Sequence, residues 1–236
     1  MERTSNPGLH EYIGHLVLEL DPNCNKHIID LGCGSGALLE RLAKGGHKNL
    51  VGADIQPPTS TASIKYEQID LDSFSLKSSH QRFNIALSIE VIEHIENTGS
   101  FLDELARLLE PGGLALFTTP NLHSSQSKIR FALSDNLKQF DRKGDPTHVS
   151  PIFLFPFTKM LKRHGFAVKK TWSYPLDGTS PTSRPLLRLI NKPLSIAITN
   201  KVGHGDTLII LAERQKNTSY NKQKHVTSHY YQPNNQ

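Results

Sequence analysis

The sequence predicts an α/β fold with a mostly parallel sheet covered by helices on both faces, and three observations predict it. Short apolar runs alternate along the chain with stretches whose apolar residues recur at helical spacing. The first run, Ile28-Ile29-Asp30-Leu31, breaks into the alternate glycines Gly32, Gly34 and Gly36 and then into the helical pattern Ala37-Leu38-Leu39-Glu40-Arg41-Leu42. The second, Leu50-Val51-Gly52-Ala53, closes on Asp54, about twenty residues past the glycines.

A strand, a tight turn and a helix are the parts of a nucleotide pocket. A Cβ in the turn would block both its unusual dihedrals and the close approach of a ligand, while the helix behind it offers unpaired N–H groups. Asp54 stands where a carboxylate accepts hydrogen bonds from the two hydroxyls of a ribose, so the ligand carries adenosine. Gly32, Gly34 and Ala37 also satisfy the looser dinucleotide fingerprint, and glycines alone leave nicotinamide and flavin cofactors open. Asp30 weighs against those. A pyrophosphate would be repelled by a carboxylate there, whereas an aminoacyl ammonium would be attracted.

Taken in order, Leu9, Ile13, Leu16, Val17 and Leu20 predict a helix over Leu9–Leu20 that packs on the sheet or lids the pocket. Strands are expected at His27–Leu31, Asn49–Asp54, Ile64–Gln68, Phe83–Ser88, Leu114–Thr119, Ala167–Tyr174 and Thr207–Glu213, with helices between them at Ala37–Lys44, Gly99–Leu109 and Phe157–His164. These form one domain over residues 1–214. Two insertions interrupt the alternation. Residues 121–156 mix Lys128, Arg130, Lys138, Arg142 and Lys143 with Phe131, Leu133, Leu137 and Phe140 and are expected to cap the acceptor. Residues 175–205 set Arg184, Arg188 and Lys192 beside Leu186, Leu187, Leu189 and Ile190, a pattern for packing on the protein itself or for peripheral contact with a membrane. Residues 215–236 are polar and read as a disordered tail.

No apolar run approaches membrane-spanning length, and the first twenty or so residues lack a signal-peptide pattern, so a cytoplasmic location is expected. Cys24 and Cys33 fit free thiols in a reducing compartment, with no Cys-x-x-Cys pair to hold zinc. Charge is unevenly spread. Residues 1–120 carry nine Lys and Arg against sixteen Asp and Glu, residues 121–213 carry fourteen against six, and residues 214–236 carry four against none. A basic second half favours an anionic acceptor or an anionic surface, or is a solvated basic face.

Downstream of the glycines come Asp70-Leu71-Asp72, the run from Phe83 through Ser88 and Glu90 to Glu93-His94-Ile95, and Leu109-Glu110-Pro111-Gly112-Gly113 leading into Leu114 to Asn121. On these motifs, from about Lys26 to Arg214, the chain resembles the class I S-adenosylmethionine-dependent methyltransferases, in the broad small-molecule group that includes the ubiquinone-biosynthesis O-methyltransferases. The resemblance implies a Rossmann-like, doubly wound, seven-stranded sheet whose last strand runs antiparallel, and S-adenosyl-L-methionine as the cofactor. It further implies that Asp30, Gly32, Gly34 and Gly36 lie against the methionine part of that cofactor and that Asp54 holds the ribose. Asp70 and Leu71 would flank the adenine, and Ser88 would face the methionine end near the transferred methyl. Asn84 stands where the family usually has Asp, and Asn still hydrogen-bonds there.

The expected acceptor is a small molecule, anionic or lipid-linked, such as a quinone precursor or a sugar, methylated on oxygen. A hydroxyl acceptor must lose its proton, and histidine titrates near neutrality; His94 after the fourth strand is the favoured base, with His148 from the cap beside it. The competing role for His94 is to order the loop and helix after that strand. A sharper alternative, not the favoured one, groups Glu90, Glu93, His94 and His148 as ligands for a divalent metal ion. Similar clusters bind metal in some ubiquinone-type O-methyltransferases and in small-RNA 3′-terminal 2′-O-methyltransferases. Nucleic acid is the weaker acceptor, because the tail supplies most of the excess positive charge and no aromatic-and-basic stacking motif stands out. A third reading, a cofactor-binding partner protein without catalysis, sits poorly with intact glycines and Asp54.

Overall fold

The computed structural model describes residues 7–59, 64–73, 82–142, 144–176 and 202–216. Most of the 175–205 insertion and nearly all of the 215–236 tail lie outside the described residues. The chain runs α1 (Leu9–Leu20), β1 (Ile28–Leu31), α2 (Ala37–Lys44), β2 (Leu50–Asp54), β3 (Lys65–Gln68), β4 (Phe83–Ile89), a 3-10 turn (Ile92–His94), α3 (Thr98–Leu108), β5 (Leu109–Pro120), α4 (Ser125–Ser134), α5 (Leu154–Arg163), β6 (Phe166–Tyr174) and β7 (Thr207–Arg214).

The seven strands form one sheet in the order β3-β2-β1-β4-β5-β7-β6. β1 to β5 pair in parallel and β7 runs antiparallel to both of its neighbours, as expected for the last strand. The winding direction reverses between β1 and β4, and in such sheets the crevice outside the carboxyl ends of these two strands is where ligands bind.

Strand side chains alternate between two apolar layers. Ile29, Ala86, Phe117 and Ile210 face one core with Phe101, Leu102 and Leu105 of α3 and Phe157 and Leu161 of α5. Ile28, Ile85, Leu116 and Ile209 face the other with Leu9, Ile13 and Val17 of α1 and Leu38, Leu39 and Leu42 of α2. Each fully buried side chain of this size contributes about 1.5–3 kcal/mol, so the two layers hold the helices on the sheet. α3 begins where Asn97 Oδ1 accepts the Ser100 N–H at 3.1 Å, a cap worth about 1 kcal/mol. α1 is tied to the far edge of the sheet as well: Tyr12 Oη accepts the Trp172 indole N–H at 2.8 Å, and its ring lies 5.0 Å from that of Tyr174.

Three elements depart from expectation for local reasons. Strand pairing along β5 starts at Leu109 opposite Phe83, bulges over Glu110–Gly113, and resumes at Leu114 opposite Ile85. Pro111 has no N–H for a ladder and Gly112 takes a left-handed φ of 86°. α5 starts at Leu154 rather than Phe157, because Pro156 falls in the first turn, where the missing N–H has no intrahelical partner to lose. The 121–156 insertion contains a helix, α4, begun by Ser124 Oγ accepting the Ser127 N–H at 3.1 Å. Among the described residues no helix is long and apolar enough to cross a membrane.

Candidate active site

The carboxyl ends of β1, β2 and β4 bring the predicted cofactor residues together. Gly32, Gly34 and Gly36 all have positive φ, at 78°, 51° and 82°. A Cβ on Gly32 would enter the Val91 isopropyl group, so this glycine lets the turn pass under the loop after β4. The space in front of Gly34 is open, with no atom within 4 Å of where a Cβ would stand. Gly36 is the N-cap of α2. Asp54 Oδ2 accepts the Gly34 N–H at 2.7 Å and its Oδ1 accepts the Gln56 N–H at 3.2 Å, so one carboxylate links the glycine turn to the end of β2.

Asp30 and Ser88 stand at the carboxyl ends of β1 and β4, Asp30 on the sheet face covered by α1 and α2 and Ser88 on the face covered by α3 and α5. Asp30 is paired through β1 with Gly52 and Leu87, the residue before Ser88. Both side chains are 2% exposed, and neither Asp30 Oδ1 nor Ser88 Oγ has a hydrogen-bond partner among the described residues. Burial, reinforced by the Asp54 carboxylate, pushes the Asp30 carboxyl up to about 7. Asp70 is exposed and closes its own turn, accepting from the Asp72 N–H at 3.0 Å and the Ser73 hydroxyl at 3.3 Å. Leu71 packs on the α3-side core. Asp72, left aside in the sequence reading, anchors the neighbouring loop by accepting the N–H groups of Glu96 and Asn97 at 2.7 and 3.2 Å. The departure at Asn84 is structural: its Oδ1 accepts the His27 N–H at 2.9 Å, at the opposite end of β1 from the pocket.

The residues after β4 make a second, acidic and imidazole-bearing group. The side-chain donors of Glu93, His94 and His148 lie within 4.8 Å of one another. Glu93 is completely buried and neither carboxylate oxygen has a hydrogen-bond partner among the described residues. Burial, with the Glu90 carboxyl adding to it, pushes Glu93 far above the usual carboxylate range. The rings of His94 and His148 meet edge to face, with centroids 4.7 Å apart.

Glu90 does not join that trio. Its backbone is left-handed, with φ 56°. Its N–H lies 3.2 Å from the Thr118 carbonyl and donates to the Thr118 hydroxyl at 2.9 Å, while its carboxylate accepts from the same hydroxyl at 2.9 Å. Burial raises it to about 7 against that hydrogen bond.

His148 arrives because the cap segment is clamped to the 3-10 turn. The Val149 and Ser150 N–H groups donate to the Glu93 carbonyl at 3.0 and 2.9 Å, and the Ser150 hydroxyl donates to the Ile95 carbonyl at 2.6 Å. Further back, Lys138 pairs with buried Asp206 at 2.6 Å, fastening the cap to the start of β7.

A seven-stranded sheet in this order, with a left-handed glycine turn at the carboxyl end of β1, is a fold of the Rossmann-like class. A family profile described as a methyltransferase domain matches residues 8–171. The chain belongs to that family and is a class I S-adenosylmethionine-dependent methyltransferase.

Among curated proteins it is similar to the ubiquinone biosynthesis O-methyltransferase of Neisseria meningitidis, 27% identical over 180 residues that cover 70% of this chain and 72% of the relative. The enzyme of the same description from Hydrogenovibrio crunogenus is 26% identical over 174 residues, 70% of this chain and 68% of its own. Among solved structures, a SAM-dependent methyltransferase from Archaeoglobus fulgidus superposes with a TM-score of 0.59 at 20% identity, over 86% of this chain and 94% of its own, and shares the fold.

Proposed function

We propose that this enzyme methylates a hydroxyl oxygen of a small aromatic or otherwise hydroxylated acceptor of the quinone-precursor kind. The observation that carries the reading is the trio Glu93, His94 and His148, at the end of the strand that also carries Ser88. An oxygen acceptor needs a proton acceptor at that point, and this trio is rich in them. The curated relatives named above, whose descriptions are of ubiquinone O-methylation, support the same acceptor class.

The cofactor's sulfonium supplies an already activated methyl group. The open face of Gly34 and the buried, unpartnered Asp30 Oδ1 fit its methionine end, Asp30 facing the ammonium as a carboxylate. Asp54, which already receives two backbone N–H groups, turns its remaining lone pairs to the ribose hydroxyls. The chain's own contribution is alignment and exclusion of water, with His94 taking the acceptor's proton.

A divalent cation fits the trio as well, and Glu93 favours this second reading. A completely buried carboxylate with both oxygens unpartnered is costly unless it is neutral or faces a cation. Glu93, His94 and His148 would hold the ion, and a bound ion would lower the pKa of an acceptor hydroxyl.

Calorimetry with S-adenosylhomocysteine, then methyl transfer to an ortho-dihydroxybenzoate and to a matched aromatic amine with and without chelator, tests both readings. Oxygen transfer to the dihydroxybenzoate is the expected result, and transfer that chelator abolishes and Mn²⁺ restores would favour the cation reading. Glu93→Gln is expected to lose roughly 10–100-fold in transfer while still binding the homocysteine product. Transfer to the amine but not to the hydroxyl would overturn the oxygen assignment, and transfer indifferent to chelator would return the chemistry to His94 alone.

A further inference from the structure

The imidazole of a histidine can act on a substrate or an ion through only one nitrogen at a time, and the other is governed by whatever it touches behind the site. His94 Nδ1 lies 3.1 Å from the Thr147 backbone carbonyl and 2.8 Å from the Thr147 hydroxyl. A carbonyl has no proton to give, so this contact is a hydrogen bond only when Nδ1 carries the proton. The hydroxyl agrees, since its own proton is already committed: Thr147 Oγ1 donates to Asp145 Oδ1 at 2.6 Å, leaving its lone pairs toward the ring. Asp145 is in turn held by the Thr147 N–H at 2.9 Å, so the Asp-Pro-Thr turn is closed on itself before it meets the histidine.

His148 is governed in the same way. Its Nδ1 lies 3.0 Å from the Gln139 carbonyl, again a group that only accepts. The carbonyl reaches that point through a left-handed residue, Gln139 at φ 69°, and past Gly144, where a Cβ would collide with it.

We propose that Thr147, braced by Asp145, is the positioning residue that holds neutral His94 as the Nδ1–H tautomer, and that the Gln139 carbonyl does the same for His148. Each neutral ring then carries its lone pair on Nε2, and one ring nitrogen of each lies within the trio that Glu93 completes. The inference rests on the reading above that these imidazoles serve the site, and it holds whether His94 takes a proton or binds an ion. In an unconstrained neutral histidine side chain the Nε2–H form is the ordinary preference. The cap therefore reverses the default, and a cap that came loose would leave the trio with lone pairs facing the wrong way.

The test is ¹⁵N-histidine NMR on the full-length, chelator-treated protein at a pH where the rings are neutral, with His94→Gln and His148→Gln assigning the signals. The expected result is Nδ1–H for both rings in the parent protein. Thr147→Val keeps the longer 3.1 Å carbonyl contact but removes the nearer 2.8 Å hydroxyl, so it should move His94 part of the way toward the Nε2–H form while leaving His148 as it was, and Thr147→Ser should restore the parent spectrum. A parent His94 in the Nε2–H form would overturn the proposal, as would a Thr147→Val spectrum identical to the parent.

Mn²⁺ titration of the same samples separates this inference from the cation reading. A 10–100-fold weaker affinity in Thr147→Val, recovered in Thr147→Ser, supports the relay as an orienter of a ligand. A parent protein that takes up no Mn²⁺ but displays the expected tautomers removes the cation and leaves the positioning role standing.

Discussion

Asp30 carries the clearest pH signature at the scale of single residues. Its carboxyl is raised to about 7 in the folded protein against about 4 in an unfolded chain. The unfolded state therefore releases its proton first as pH rises. This group's contribution to stability is full below about pH 4, is lost through the interval up to about pH 7, and does not return above it. Asp30→Asn should leave the melting temperature little changed at pH 4 and raise it at pH 8, by an amount corresponding to a few kcal/mol, when thermal scans of the ligand-free proteins are compared. On the proposed function, the same substitution also removes the charge that would face the cofactor's ammonium. S-adenosylhomocysteine affinity in the parent should fall about tenfold per pH unit below pH 7, a dependence absent in the variant and readable by calorimetry. The positions of Asp30, the three glycines and Asp54 were legible in the sequence because backbone rules dictate what a strand-turn-helix must carry. Thr147 was not legible as a partner of His94, since that contact spans 53 residues and depends on how the cap lies. The spacing Asp145-x-Thr147, which suits a self-closed turn, was the available signal.

Gly32 and Gly34 stand two residues apart in one turn yet do different work, which is a property of the element and not of glycine as such. Alanine at Gly32 meets both a left-handed backbone and the Val91 side chain. Gly32→Ala should destabilise the protein by about 2–4 kcal/mol in urea unfolding. Alanine at Gly34 pays only the backbone penalty of about 1–2 kcal/mol. Its methyl would stand in the open cradle, so Gly34→Ala should weaken S-adenosylhomocysteine binding more than it weakens the fold. Equal losses of stability in the two variants would contradict this division. Apart from the early start of β5 at Leu109, the strands and α1 to α3 fall within a residue or so of expectation because their periodicity is set by two opposing cores. α4 was missed because its apolar face is thin: only Ser125 and Ser127 are buried along it, so hydrophobic spacing gave no helical signal.

Across the whole molecule, charge and topology divide the labour in the same direction. The acidic first 120 residues supply the glycine turn and the carboxylates around it, while the basic residues 121–213 begin at the carboxyl end of β5 and include the cap. If the acceptor approaches past residues 121–156, it meets a stretch with five Lys and Arg against three Asp, opposite in net sign to residues 1–120. KM for an anionic acceptor should rise roughly threefold or more between low and high ionic strength, whereas KM for a neutral analogue stays level. The sequence alone made this asymmetry plain, but not that within the basic segment Lys138 would pair with Asp206 at the start of β7, a contact that depends on how that strand returns against β5. The tie between α1 and the opposite edge of the sheet has a practical counterpart. The chain has one tryptophan, Trp172, only 6% exposed, and its indole N–H is held by Tyr12. Its fluorescence is thus a native optical gauge of whether the N-terminal helix is seated on the sheet, readable in a stopped-flow instrument without attaching a dye.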